Sequence, residues 1–214
     1  MSKRLGVLGG MFDPVHNGHI EAARFAIRTL ELESLQLVPC NIPNHRELAA
    51  CGPADRLAML QLAVAGESGI SINQIELKRD QVSYTVDTLL VLRDSGLNDH
   101  VVFVLGTDAF NSLTLWHHWQ ELFELCHLLV LGRDAAKIAS ATAAAVELDK
   151  RRVQSARELF ASAHGKIYLA EDFRVNLSST KVREAIRKKQ DLSALLNADV
   201  IEYINQRNLY SIGS

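Results

Sequence analysis

The stretch LGVLGGMFDPVHNGHIEAARFAIRTL, Leu5 to Leu30, decides the fold of this chain of 214 residues. Its first part, Leu5–Gly9, is a short apolar run of the kind found in strands that are covered on both faces. Its last part, Gly18–Leu30, has the apolar spacing of a helix. The segment between them, GGMFDPVHNGH from Gly9 to His19, therefore lies where a strand passes into a helix. Such a junction presents backbone N–H groups and the positive end of a helix dipole, so we expect it to bind an anion such as phosphate.

The same alternation of strand-like and helix-like segments continues along the chain. The other candidate strands are Leu35–Pro39, Ile70–Ile75, Val101–Gly106, His127–Gly132 and Lys166–Ala170. The other candidate helices are Ala54–Gly66, Thr85–Ser95, Trp119–Leu125, an alanine-rich stretch near Ala135–Ala163, Ser179–Lys188 and Ala198–Gln206. This order predicts an α/β fold, a Rossmann-like doubly wound parallel sheet with helices on both faces. We expect one domain over residues 1–214, with a C-terminal helical part from about residue 178.

The composition excludes several classes of protein. The net charge is −2 and the sequence pI is about 6.4, which gives no basic face for nucleic acid. The number of cysteines, three, is odd, and no pair of them has C-x-x-C spacing. Both observations argue against a disulfide framework and against a structural zinc site. No apolar run approaches the ~20 residues of a membrane span, and no signal peptide is evident. We therefore predict a cytoplasmic protein without a membrane or nucleic-acid partner.

Small and cationic residues in the first motif suit it to phosphate. Gly9 and Gly10 let the backbone turn tightly and approach a ligand. His16 and His19 are three residues apart, so one helical turn places both on the same side, where imidazoles can donate hydrogen bonds to phosphate oxygens. Gly18 removes side-chain bulk beside His19.

Three alternatives for this motif stay open from the residues alone. The first is a simple turn with a helix-capping histidine. The second is a zinc site on Asp13, His16 and His19, although no fourth ligand is apparent. The third, the dinucleotide fingerprint of dehydrogenases, is disfavoured because Gly6, Gly9 and Gly10 have the wrong spacing for it.

A second motif, LSSTKVREAIRKK from Leu177 to Lys189, has the features of another anion site. Ser178, Ser179 and Thr180 open a helix, so their hydroxyls and N–H groups could form a cradle. Arg183 follows one turn later and could reach the same phosphates. Taken alone, the three hydroxyl residues are equally consistent with an ordinary helix cap.

Together the two motifs resemble the HxGH nucleotidyltransferase superfamily, whose pattern reads GGxFDPxHxGH and then ISSTxxR. Only Leu177 departs from the second pattern, by replacing the usual isoleucine. Within the superfamily, three further segments are similar to nicotinate-nucleotide adenylyltransferases: CNIPNHRE with Pro43, His45 and Arg46, then SYTVDTL, then LGTDAFNSLTLWHHWQEL. The family's Arg-Pro after the fifth strand is here Arg133-Asp134.

This resemblance implies transfer of an adenylyl group from ATP to nicotinate mononucleotide, giving deamido-NAD and pyrophosphate. It implies catalytic roles for His16, His19 and Arg183. The implied ATP-binding residues are Gly9, Gly10, Met11, Phe12, Gly18, Gly106, Asp108, Ser178, Ser179 and Thr180. The implied binding residues for the mononucleotide are Asp13, His45, Arg46, Ser83, Tyr84, Thr85, Trp116 and Arg133. Mg²⁺ would arrive on ATP, without a dedicated metal site.

Competing functions remain at this stage. Phosphopantetheine adenylyltransferases share the first motif but commonly have threonine at the position of His16, and they lack the SYT and tryptophan segments. A preference for nicotinamide mononucleotide would depend on a few hydrogen-bond donors that a sequence does not place. A non-catalytic nucleotide sensor could lose His16, His19 or Arg183, yet this chain has all three.

Overall fold

A computed structural model describes residues 3–44, 48–132, 142–175 and 177–211 of the chain. The strands in these ranges are β1 (Arg4–Gly10), β2 (Ser34–Pro39), β3 (Ile70–Ile72), β4 (His100–Gly106), β5 (His127–Leu131), β6 (Arg152–Val153) and β7 (Ile167–Ala170). The α-helices are α1 (Asn17–Leu30), α2 (Pro53–Val64), α3 (Thr85–Asp94), α4 (Thr107–Asn111), α5 (Leu122–Leu125), α6 (Ala143–Arg151), α7 (Ala156–Leu159), α8 (Ser179–Arg187) and α9 (Ala198–Arg207). Short 3₁₀ helices span Leu113–Leu115 and Trp119–Glu121.

The described strands form one parallel sheet in the order β3-β2-β1-β4-β5-β7-β6. The chain builds outward from β1 through β2 to β3, and then returns to place β4 on the other side of β1. The strand order therefore reverses between β1 and β4, where Val7 is the register partner of Phe103. A crevice opens at the carboxyl ends of two such strands, and it is the usual ligand site of this architecture.

Both faces of the sheet are covered by helices, as the sequence predicts. On one face, Leu8 and Val102 pack in a cluster that includes residues of α1, α2, α8 and α9. On the other, Val7 and Phe103 pack in a cluster that includes residues of α3, α5 and α6. Neighbouring residues of a strand point to opposite faces, so a continuous apolar run supplies both clusters.

The alanine-rich stretch near Ala135–Ala163 is not one helix over its described part. Residues 133–141 lie outside the described ranges. After them, α6 ends at Arg151, and the two residues of β6 pair in parallel with β7 at the sheet edge. Ser155 then caps α7 by accepting a hydrogen bond from the N–H of Glu158. The serine and the β-branched Val153 interrupt the alanine pattern, and these are the signals of a strand and a new helix start.

Three smaller differences concern the ends of elements. β3 stops at Ile72 because the side-chain oxygen of Asn73 accepts the N–H of Ile75 and turns the chain. The helix expected at Trp119–Leu125 begins as a 3₁₀ turn and becomes α-helical only at Leu122. Helix α4, directly after β4, was not expected at all.

The described part of the chain contains no helix with the length and apolar character needed to cross a membrane. Within that described part, Cys40, Cys51 and Cys126 form no disulfide bond with one another.

Candidate active site

Two adjoining cavities open at the carboxyl ends of β1 and β4, where the strand order reverses. The larger has a volume of about 700 Å³, and the smaller a volume of about 260 Å³. Their common wall is formed by Gly9, Gly10, Met11, Phe103 and Trp116. Molecules held in the two cavities would therefore meet at the end of β1.

The two histidines of the first motif lie together at the N-terminus of α1. His16 is the N-cap residue, with extended backbone, and His19 lies in the first turn. Their rings stack with centroids 3.6 Å apart and an interplanar angle of 20°. The backbone N–H of His16 donates to Nδ1 of His19 over 3.2 Å. Because Nδ1 accepts this bond, the neutral His19 ring carries its proton on Nε2, where it can donate to a ligand.

Gly18 leaves room for the ring of His16, besides the space beside His19 that the sequence predicts. A Cβ atom on Gly18 would lie 3.0 Å from Nδ1 of His16 and 3.0 Å from Cγ1 of Val175. A larger residue would therefore displace the His16 ring from its stacked position.

The two glycines at the end of β1, Gly9 and Gly10, differ in how much space a side chain would have. A Cβ on Gly10 would lie 3.2 Å from the Phe12 ring, which is tighter than an ordinary contact. A Cβ on Gly9 would lie 3.6 Å from Phe103, which is ordinary van der Waals distance. Neither has a positive φ, so close approach rather than an unusual turn explains Gly10.

Helix α8 forms the opposite wall of the larger cavity and is bonded to the first motif. The hydroxyl of Ser179 donates to the carbonyl of Pro14 over 2.9 Å. Arg183 donates from Nη1 to the carbonyl of Asp13 over 2.6 Å. These bonds join segments about 170 positions apart, so the two sequence motifs become one site. Arg187, one turn further along the helix, also lines the cavity.

The hydroxyl groups of the second motif serve the protein itself. Ser178 is the N-cap of α8 and accepts the N–H of Lys181, so the ordinary helix cap is present. The Ser179 hydroxyl holds Pro14, and the Thr180 hydroxyl lies 3.5 Å from Nη2 of Arg183. The anion-binding capacity of this wall therefore rests on the first backbone N–H groups of the helix, which have no intrahelical acceptor, and on its arginines.

Asp13 is buried, with 5% of its surface exposed. Its carboxylate accepts the N–H of Ala50 over 2.7 Å, the N–H of Cys51 over 3.2 Å and the hydroxyl of Tyr210 over 2.8 Å. A direct contact between Asp13 and the mononucleotide stays a prediction, but these bonds give its carboxylate a structural task in the cavity wall.

Arg56 stabilises the first motif through a hydrogen bond to its backbone, and the sequence motifs did not identify this residue. Only 1% of its surface is exposed, and its Nη1 donates to the carbonyl of Met11 over 2.7 Å. Burial lowers the pKa of this guanidinium, an effect that the nearby Asp13 carboxylate opposes. Arg56 occupies the same helix face as Met59, Leu60 and Ala63. The sequence does contain a signal that Arg56 is buried, because this arginine occupies an apolar helix face with i, i+3, i+4, i+7 spacing.

The smaller cavity is lined by aromatic and polar side chains. The Trp116 indole packs edge-on to Phe103, with ring centroids 6.0 Å apart. The Tyr84 ring lies 4.2 Å from that of His117, which also lines this cavity. Tyr84 is the N-cap of α3 and Thr85 is its first residue. The backbone N–H of Ser83, one of the predicted binding residues, donates to the carbonyl of Ile42.

Glu76 is a buried carboxyl group in the wall of the smaller cavity, and the sequence analysis did not identify it. It accepts a hydrogen bond of 2.8 Å from the hydroxyl of Thr88. Burial raises the pKa of Glu76, and hydrogen bonds from Thr88 and Ser83 oppose the shift. Its contacts lie within the SYTVDTL segment, so it helps to fix the start of α3.

The chain is similar to known proteins over nearly its whole length. The cytidylyltransferase-like family matches residues 7–185. A protein of Aeromonas salmonicida named "Probable nicotinate-nucleotide adenylyltransferase" is 38% identical over 206 residues, which are 96% of this chain and 96% of that protein. A protein of the same name from Pseudomonas syringae is 38% identical over 98% of this chain and 95% of its own length.

The chain belongs to the nicotinate-nucleotide adenylyltransferase family. Solved structures agree on the fold. The Plasmodium falciparum nicotinic acid mononucleotide adenylyltransferase complexed with NaAD superposes with a TM-score of 0.73 at 20% identity, and each chain is covered over 97%. The same parasite enzyme complexed with APC gives a TM-score of 0.73 at 19% identity, again over 97% of each chain.

In this member of the nicotinate-nucleotide adenylyltransferase family, most residues predicted for the site lie at the cavities. The larger cavity is lined by Gly9, Gly10, Met11, Phe12, Asp13, His16, His19, Gly106, Asp108, Trp116, Ser178, Ser179, Thr180 and Arg183. The smaller is lined by Ser83, Tyr84 and Thr85, besides the common wall. Gly18 lies behind His16, while His45, Arg46 and Arg133 fall outside the described residues.

Proposed function

We propose that the chain transfers the adenylyl group of ATP to nicotinate mononucleotide, giving deamido-NAD and pyrophosphate. The observation that carries this proposal is the pair of adjoining cavities at the end of β1. One is flanked by imidazoles, arginines and two helix N-termini, which suits a triphosphate. The other presents aromatic side chains and the first turn of α3, which suits a pyridine nucleotide.

The reaction needs little from a general base. A phosphate oxygen of the mononucleotide is already ionised near pH 7 and can attack the α-phosphorus of ATP in line. The new P–O bond forms as the bond to the β-phosphate breaks, and pyrophosphate leaves with the electron pair. Catalysis then depends on positioning both nucleotides and on stabilising the negative charge of the leaving group.

Three side chains are assigned to that charge. His16 and His19 contact the ATP phosphates from the N-terminus of α1, and His19 donates through Nε2. Arg183 faces them from α8, beside the N–H groups of Ser179 and Thr180. Because the net charge of the chain is −2, local donors rather than a general positive field must attract ATP.

The remaining assignments concern the two nucleosides. Gly106 and Asp108, at the end of β4 and the start of α4, contact the adenosine ribose. Trp116 stacks on the pyridine ring from the common wall. The N–H groups of Tyr84 and Thr85 receive the nicotinate carboxylate, since the N-terminus of α3 favours an anion.

ATP is taken up as its magnesium complex. No group of three or more His, Cys, Asp or Glu side chains forms a metal site within the described ranges. In this proposal Mg²⁺ is bound through the polyphosphate oxygens, which provide the hard oxygen ligands that this ion prefers. We also propose that the chain acts in the cytoplasm and as one domain over residues 1–214.

The direct test is an acceptor panel. The protein is incubated with MgATP and, separately, nicotinate mononucleotide, nicotinamide mononucleotide or phosphopantetheine, and pyrophosphate release and product mass are measured. We expect pyrophosphate and a product of the mass of deamido-NAD with the nicotinate nucleotide. Release with phosphopantetheine alone would reassign the acceptor, and no release with any acceptor would favour the nucleotide sensor.

A further inference from the structure

A tyrosine near the C-terminus reaches the first motif across nearly the whole length of the chain. Tyr210 is 3% exposed, and its hydroxyl donates to Oδ1 of Asp13 over 2.8 Å. Neither of the two sequence motifs includes this tyrosine. Its bonding partner Asp13 lines the larger cavity.

The carboxylate of Asp13 connects Tyr210 to two walls of that cavity. It accepts the N–H groups of Ala50 and Cys51 on one side. On the other side, its Oδ2 atom lies 3.8 Å from Nη1 of Arg183, which is longer than a hydrogen-bonded ion pair. Arg183 donates instead to the backbone carbonyl of Asp13.

The backbone turns sharply to deliver this tyrosine. Helix α9 ends at Arg207, and the next residue, Asn208, has a left-handed conformation. Tyr210 itself has φ +62°, in a region that non-glycine residues rarely adopt because it is sterically strained. Burial of the ring, the bond to Asp13 and a side-chain hydrogen bond with the Cys51 thiol hold it there.

A second tyrosine of the same segment provides a comparison. The Tyr203 hydroxyl donates to Oδ1 of Asp55 over 2.8 Å, and Asp55 also pairs with Arg207 at 3.2 Å. This bond attaches α9 to the start of α2. It has the same chemistry and length as the Tyr210 bond, but its acceptor does not line either cavity.

We propose that Tyr210 is a positioning residue for the ATP half of the reaction, and this inference rests on the proposed function. By donating a hydrogen bond to the Asp13 carboxylate, its hydroxyl weakens the electrostatic attraction between that carboxylate and the Arg183 guanidinium. Without the hydroxyl, the carboxylate turns toward the guanidinium and closes the 3.8 Å gap. Arg183 then leaves the phosphates, and the wall at Ala50 and Cys51 moves with the carboxylate.

The test compares Tyr210→Phe with Tyr203→Phe, each of which removes one hydroxyl bonded to a carboxylate. We expect Tyr210→Phe to raise KM for MgATP roughly tenfold while KM for nicotinate mononucleotide changes less than about twofold. Tyr203→Phe should leave both constants within about twofold, although both variants lower the melting temperature. Equal kinetics for the two variants, or equal rises in both KM values for Tyr210→Phe, would overturn the proposal.

A double-mutant cycle checks the route through Arg183. In an Arg183→Gln background the Tyr210→Phe change should have less than about twofold further effect on KM for MgATP, because its target is gone. A full tenfold effect in that background would contradict the mechanism. Calorimetric binding of MgATP alone separates this inference from the proposed function: Tyr210→Phe should weaken it roughly tenfold even in a chain that released no pyrophosphate, and unchanged binding would overturn it.

Discussion

His16 and His19 show how neighbouring residues of one type acquire different tasks. His16 is 4% exposed and serves as the N-cap of α1, whereas His19 is partly exposed toward the larger cavity. The N–H of His16 fixes the tautomer of His19, so the first histidine orients the second. The sequence leaves a helix-capping and a phosphate-binding histidine open as alternatives; His16 is the cap, and the phosphate contact of His19 stays a prediction.

His19→Ala should lower kcat by on the order of 10²–10³, the loss expected when one transition-state donor is removed. Steady-state kinetics with saturating MgATP and nicotinate mononucleotide measure it. The control is His118→Ala, because His118 lines neither cavity. A folded His19→Ala protein with near-normal kcat would exclude the phosphate role.

Trp116→Ala should raise KM for the mononucleotide more than KM for MgATP, because the indole is assigned to the pyridine ring. Trp116 lies in the common wall, so some rise in both constants is expected. Trp119→Ala removes the same side chain outside the cavities, where it packs edge-on to Phe123. It should destabilise the fold without separating the two constants. Equal rises for Trp116→Ala would contradict the stacking assignment.

The residues that sequence reasoning found and missed differ in a physical way. His16, His19 and Arg183 belong to short motifs whose chemistry is visible in the residue types. Arg56 and Tyr210 act through bonds to the backbone or to a buried carboxylate of a distant segment. Such partners depend on tertiary packing, and local spacing does not reveal which carbonyl or carboxylate a side chain will meet.

At the scale of elements, the N-terminus of α1 is shaped by the close contact between Gly18 and the ring of His16. The helix starts at Asn17, one residue earlier than the apolar spacing indicates, because His16 rather than Asn17 is the N-cap. Gly18 therefore faces the cap residue, at the distance where a methyl group would touch its ring.

Gly18→Ala should lower kcat by roughly tenfold, because the added methyl group displaces the His16 ring from its stacked position. Gly52→Ala is the matched control: Gly52 precedes α2, has a negative φ, and an added Cβ there would meet nothing within 4 Å. Kinetics and thermal unfolding of both variants test this expectation. If the two variants had the same kcat, Gly18 would not be placing His16.

Elements with a strong period were predicted well, and those built from few residues were not. The long helices α1 and α2, and the predicted strands other than β3, lie within one or two residues of their expected bounds. β6 has only two residues and α4 only five, too few for a period to appear. They form because the sheet edge offers a pairing partner and because the chain turns directly out of β4.

At the scale of the whole molecule, the amino-terminal ends of β4 and β5, opposite the cavities, carry a buried and a half-buried histidine. His127 is fully buried at the start of β5, and burial lowers its pKa to about 4, with a further contribution from His100. Its Nε2 contacts the carbonyl of Ser162 and its Nδ1 accepts the N–H of Lys166. Protonation of Nδ1 would therefore place a second proton against the N–H donor of Lys166. Burial also lowers the pKa of His100.

Stability should therefore decline as the pH falls from about 6.5 to about 4. The unfolded chain takes up the His127 proton near its ordinary value of 6.5 and the folded chain only near 4, so unfolding binds a proton between these limits. The loss from this residue is at most about 3 kcal/mol. Urea unfolding across this range measures it. His127→Gln should flatten the dependence, exposed His118→Gln should not, and an unchanged slope in His127→Gln would rule out this origin.

The burial of Tyr210 has a practical consequence for handling the protein. An affinity tag or fluorescent fusion attached shortly after this tyrosine would pull on the segment that carries its hydroxyl to Asp13. By contrast, the backbone N–H of Lys3 donates to the carboxylate of Asp99 at the opposite end of the strands, where β1 and β4 begin. Purification handles and immobilisation chemistry therefore belong on the amino-terminal side, and assays of carboxyl-terminal fusions would report on the attachment as much as on the enzyme.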